Sequence, residues 1–146
     1  MRPQIPTDVP TVDIRKPNAA RMYDYYLGGA HNFEPDRALA TQVGLVAPFV
    51  RDVAHINRAW LRRVLDFLLS QGIRQFLDLG SGIPTVGNVH EVVQRDDPAA
   101  RVVYVDYEPV AVHHSFELLR DNDNAAIAWP TSATLGPCWH TPRWPG

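Results

Sequence analysis

Residues 74–107 read RQFLDLGSGIPTVGNVHEVVQRDDPAARVVYVDY, and their pattern decides the fold. Gln75 to Leu79 form a short apolar run, followed at once by Gly80-Ser81-Gly82. That predicts a buried strand running into a glycine turn. A second apolar run, Val102 to Val105, ends in Asp106. The residues between them suffice for one short helix, so the unit is βαβ and its two strands are parallel. An acid at the tip of the second strand, after a glycine turn on the first, is placed to hold a ribose. Its carboxylate can accept from two vicinal hydroxyls, while the glycines let a ligand approach the backbone.

Two cofactor classes use such a unit. A dinucleotide site needs G-x-G-x-x-G/A, so that a diphosphate can rest on the helix N-terminus. Here Thr85, preceded by Pro84, stands at the third position, and the match fails there. Asp78 also precedes the first glycine by two residues. A carboxylate there repels a diphosphate and suits a ligand with an ammonium and a sulfonium. That ligand is S-adenosylmethionine. The competing reading is a glycine turn in some other α/β protein, and it is the two acids together that argue against it.

The 146 residues allow one domain with a real core, and 45% hydrophobic with 21% charged content is ordinary for a globular chain. A net charge of -2 gives no long-range pull toward nucleic acid or an anionic membrane. No apolar run is long enough to span a bilayer, and the N-terminus lacks a signal-peptide core, so a cytoplasmic location is expected. The single Cys138 has no disulfide partner, no companion zinc ligands and no evident activating base. No metal site is expected; His113 and His114 are adjacent on a helix and point different ways.

Outward from the βαβ unit, the pattern predicts an extended segment over 1–16, broken by Pro3, Pro6 and Pro10. A helical region over 17–72 follows. Its first helix starts at Pro17 and stops at Gly28-Gly29, the second begins near Pro35 with Leu39, Val43 and Val46 on one face, and the third runs from Pro48 to about Ser70. The third carries Val50, Val53, Ala54, Asn57, Trp60, Leu61, Val64, Leu65 and Leu68 at helical spacing. Residues 73–129 make the partial cofactor-binding domain. Within it, Asn88 and Glu91 resemble a capping box, a helix runs from Pro109 to about Arg120, and Ala125 to Trp129 form a third strand. Residues 130–146 hold four prolines and two tryptophans and fit neither helix nor strand.

These blocks resemble a family of S-adenosylmethionine-dependent methyltransferases abundant in GC-rich bacteria, long known only as a domain of unknown function. The matching stretches are Pro17 to Gly29, His31-Asn32-Phe33 with Asp36-Arg37, and Asn57 to Arg63. They continue with Ile73 to Gly82, Pro84-Thr85, Gly87 to Glu91 and Val102 to Asp106. Together they cover roughly residues 8–120 in family order and spacing. The resemblance implies an α/β fold: a Rossmann-like methyltransferase sheet, here its first two or three strands, under an N-terminal helical cap. It assigns Asp78, Gly80, Ser81 and Gly82 to the methionine and ribose region of the cofactor, Asp106 to the ribose hydroxyls and Tyr107 to the adenine edge. Tyr23, Asn32, Asn57, Arg58 and His90 become cap or pocket contacts. Against those roles, the tyrosines also suit core or rim, and Arg58 a solvated face or an ion pair.

The family's domain runs on well past this length, and the resemblance stops after Trp129. The tail, in a chain with thirteen arginines and one lysine, has the composition of GC-rich DNA read out of frame. The expectation is a truncated copy, with residues 75–79 lacking one strand neighbour and able to pair with another chain. The inherited function is methyl transfer to an acceptor that the sequence does not identify. A non-catalytic cofactor-binding remnant is the alternative, and a nicotinamide oxidoreductase the third reading, disfavoured by Asp78 and Thr85.

Overall fold

In a computed structural model of the chain, residues 9–85 and 87–129 are described. Residues 1–8 of the 1–16 segment, and the tail with Cys138, Trp139 and Trp144, lie outside the described residues. Three helices come first: α1 (Ala19–Tyr26), α2 (Glu34–Val46) and α3 (Val50–Ser70). Then follow β1 (Gln75–Leu79), α4 (Val89–Asp96), β2 (Arg101–Val105), α5 (Pro109–Leu118) and β3 (Ala125–Ala128). The strands pair in the order β1-β2-β3, all parallel, with Asp78 opposite Tyr104 and Leu79 opposite Val105. This is the expected α/β arrangement, a three-stranded Rossmann-like sheet behind a helical cap.

Local chemistry explains where the helices begin. The first helix starts at Ala19 and not at Pro17, because Asn18 caps it: its Oδ1 accepts from the Ala20 and Arg21 N–H groups at 2.8 and 3.2 Å. At α4, Glu91 Oε2 reaches back to the Gly87 and Asn88 N–H groups, each at 2.9 Å. The Asn88 side chain clasps Thr85, accepting from its N–H and donating to its carbonyl. That fixes the loop between glycine turn and helix.

The cap is tied together by a buried ion pair. Arg21 Nε donates to Asp36 Oδ2 at 2.8 Å, and both side chains are almost wholly enclosed. Asp36 also accepts the Phe33 and Asn18 N–H groups at 2.8 Å each, and Arg21 reaches the Asp13 and Lys16 carbonyls. One carboxylate thereby joins α1, α2 and the segment before α1. This anchor corrects the expected face of α2. Asp36 and Ala40 are its buried residues, while Leu39 is exposed and Val46 is 84% exposed. On α3, likewise, Ala54, Leu65 and Leu69 are buried, but Val53 and Trp60 lie outside the core.

The main core sits on one face of the sheet. Leu65 and Leu69 of α3 and Val89, Val92 and Val93 of α4 pack there with Val102, Tyr104 and Ala125, joined by Phe76 and Ile127. Residues of the other parity on β1 point away. Leu77 is exposed, and Leu79 is 70% exposed. β1 is therefore a strand as expected but not a buried one. It is an edge, and none of the described elements covers its outer face. Parallel sheets are ordinarily covered on both faces.

Candidate functional site

The C-terminal ends of β1 and β2 meet the cap across a cleft of about 610 Å3, at the end of an open parallel sheet where ligands bind. Its floor is the glycine turn. Gly80 and Ser81 donate backbone N–H groups to the Val105 carbonyl at 2.8 and 3.3 Å, pinning the turn to the end of β2. Gly82 N–H donates to Asp106 Oδ2 at 2.6 Å, while Asp106 Oδ1 accepts the Glu108 N–H at 2.8 Å. Asp106 thus staples the turn to the start of α5. Each of its oxygens keeps a further lone pair for a ligand. Gly80 and Gly82 adopt φ of 71° and 69°, and open space lies where a side chain would begin. The conformation favours glycine, and the bare backbone is approachable.

Tyr23, Asn57, Arg58, Asp78, Gly80, Ser81, Gly82, Asp106 and Tyr107 all line this cleft, nine of the eleven residues singled out from the sequence. Asp78 points from the helix-covered face of β1. It is half-buried, and its carboxylate accepts no hydrogen bond from the described residues. Burial raises its pKa; Arg58 opposes that and Asp106 reinforces it. Such a carboxylate gains from a cationic ligand. Ser81 Oγ is buried without a partner. Tyr23 serves two purposes: its hydroxyl donates to the Ala54 carbonyl at 3.2 Å, and its ring carries the Arg58 guanidinium at 5.7 Å. Tyr107 is 73% exposed at the rim.

The other two residues stand elsewhere. Asn32 holds the cap loop, donating to Asp24 Oδ2 and the Gly29 carbonyl at 2.8 and 2.9 Å. His90 is buried in α4. Its backbone N–H donates to the Tyr104 hydroxyl at 2.8 Å, and its Nδ1 lies 2.7 Å from the same oxygen. That hydroxyl accepts from the backbone, and a neutral ring with a bare Nδ1 can accept from it in turn. Burial accordingly lowers the His90 pKa, with Glu91 pulling it up.

Asn18, Trp60 and Glu108 also line the cleft, and the sequence reading missed them. Asn18 Nδ2 donates to Glu108 Oε2 at 2.6 Å, a bridge from cap to sheet. Burial raises the Glu108 pKa, and the Asn18 bond opposes that. Glu108 could have been found two residues beyond Asp106, at the N-cap of α5. Asn18 was hidden by placing the helix start at Pro17, two residues early.

A family profile described as S-adenosyl methyltransferase matches residues 6–133. The chain belongs to the S-adenosyl methyltransferase family. Among solved structures, it is similar to a Thermobifida fusca protein described as a candidate methyltransferase. Identity is 46% and the TM-score 0.79, over 86% of this chain and 48% of that one. It is also similar to a DUF574 family protein of Streptomyces avermitilis, with 35% identity and a TM-score of 0.78, over 83% and 47% of the two chains. The chain therefore spans about half the length of these two proteins. No curated protein matches it. Among the described residues no helix is long and apolar enough to cross a membrane.

Proposed function

We propose that the cleft binds S-adenosylmethionine and that this chain supplies the cofactor-binding part of a methyltransferase. The unpaired carboxylate of Asp78, half-buried beside the open glycine turn, carries this reading. It suits the ammonium of the methionine moiety. Asp106 and the neighbouring Glu108 face the ribose hydroxyls, and Tyr107 lies along the adenine. Tyr23, Asn57 and Arg58 close over the ligand from the cap. When bound, the cofactor supplies an activated methyl group. The protein's own part is to orient it and exclude water, because proximity carries much of the rate in such transfers.

The family match favours neither a non-catalytic remnant nor a nicotinamide oxidoreductase. The free edge of β1, with Leu77 and Leu79 on its open face, is proposed as a pairing surface for a further polypeptide segment. A thermal-shift titration with S-adenosylhomocysteine and NAD in parallel tests the cofactor reading. Stabilisation that grows with S-adenosylhomocysteine alone is expected. Equal response to NAD, or to neither, would overturn it.

A further inference from the structure

A second cavity, of about 560 Å3, shares Arg58 with the cofactor cleft. Its walls come from the end of α1 with the Gly28-Gly29 loop, from α3, and from Pro84-Thr85 beyond the glycine turn. Four of its side chains can carry positive charge: Arg58, Arg62, His31 and His55. The one acid among them, Asp24, is already engaged. It is 1% exposed, and its Oδ2 accepts the His31 N–H and the Asn32 amide at 2.9 and 2.8 Å. Its Oδ1 is pressed against Gly29, where a Cβ would lie only 2.0 Å away. Among the described residues, neither Arg58 nor Arg62 has a carboxylate within 4.0 Å.

Arg62 is exposed at the mouth of this space and passes close to Gly87. Gly87, at φ 78°, lets the Arg62 Nη2 come within 2.9 Å of where a side chain would begin. Three buried polar atoms without a partner belong to lining residues: Arg58 Nε, Thr85 Oγ1 and Asp24 Oδ1. Buried donors are nearly always satisfied, so the free Arg58 Nε and the Thr85 hydroxyl suit a ligand that accepts hydrogen bonds, whereas Asp24 Oδ1 is an acceptor, 4.0 Å from His31 Nδ1, and takes no part. Guanidinium groups select planar or tetrahedral oxyanions.

We propose that this cavity binds the methyl acceptor, a small molecule carrying a carboxylate or phosphate that Arg62 holds. The acceptor role rests on the cofactor reading above; the oxyanion site stands on its own geometry. Arg58 forms the shared wall, so the acceptor lies beside the cofactor without displacing it. In the transfer, an acceptor lone pair makes the new bond to carbon. The carbon–sulfur pair returns to sulfur, and the acceptor's proton passes to water.

Calorimetry on the full chain, saturated with S-adenosylhomocysteine, tests this with phenyl phosphate and benzoate as separate probes. One-to-one binding of at least one probe is expected, and the stronger probe tells phosphate from carboxylate. Arg62→Ala should weaken it by about tenfold. Arg63→Ala, one residue on and outside the cavity lining, should change it less than about twofold. Neither variant should alter S-adenosylhomocysteine affinity. Absence of probe binding, an unchanged Arg62→Ala, or competition between probe and S-adenosylhomocysteine would overturn the proposal. Arg62-dependent probe binding in a chain that does not bind S-adenosylhomocysteine would overturn the acceptor role and the cofactor reading, and leave an oxyanion site.

Discussion

Asp36→Ala is expected to destabilise the chain by about 3–5 kcal/mol, the cost of stranding one member of a buried ion pair. Arg21 would keep the Asp13 and Lys16 carbonyls and the Phe33 ring but no carboxylate partner, in a site where it is 1% exposed. The Phe33 and Asn18 N–H groups would also lose their acceptor. Against a total stability of about 5–15 kcal/mol for a domain, that loss is large. Replacing both partners, Arg21→Met with Asp36→Leu, removes the stranded charge and should recover most of it. About 2 kcal/mol should persist, because the two backbone donors stay unpaired. Urea unfolding followed by circular dichroism measures all three proteins. A single-mutant loss below about 1 kcal/mol, or a double mutant no better than the single, would refute the view that this pair anchors the cap.

Gly29→Ala should cost about 2–3 kcal/mol in the same assay, since its Cβ would force Asp24 off the His31 and Asn32 donors; a neutral effect would show that the loop adjusts freely. Tyr104→Phe should cost about 1–3 kcal/mol by leaving His90 N–H unpaired and its ring without a donor. The sign of the pH effect follows from the depressed pKa of His90. Stability from its neutral form is fully present above about pH 6.5, the unfolded value, and is lost as pH falls from there toward the folded value. In Tyr104→Phe, the His90 ring should titrate at higher pH by NMR, and an unmoved titration would disconnect the two groups. Self-association through β1 should appear in light scattering after size exclusion. Leu77→Lys should reduce it at a stability cost near zero, about 0.5 kcal/mol or less. A clean monomer with one sharp melt would show that the open sheet face is self-sufficient.

The βαβ unit was legible in the sequence because each strand is a short apolar run ended by a residue of special chemistry, glycine or aspartate. The capping pattern at Asn88 and Glu91 was legible for a similar reason, being local in sequence. Long-range pairings were not. Nothing in the spacing says that Asp36 turns inward to Arg21 while Leu39 and Val46 on the same helix face out. Apolar periodicity marks a face that could be buried, and the ion pair determined which face was. His90 looked like a pocket residue by position, yet Tyr104 opposite Asp78 claims it for the core. Leu77 and Leu79 read as buried because strand character is visible in sequence, whereas what packs on a strand is not.

Asp106 and the glycine turn are proposed to form a site for S-adenosylmethionine. Calorimetric titration of S-adenosylhomocysteine into the wild-type chain and into Asp106→Asn tests it most directly. One-to-one binding by the wild type is expected, weakened in Asp106→Asn by about 1–3 kcal/mol, roughly 5- to 150-fold in affinity. A folded wild type that takes up no ligand, or a folded Asp106→Asn that binds equally well, would contradict it.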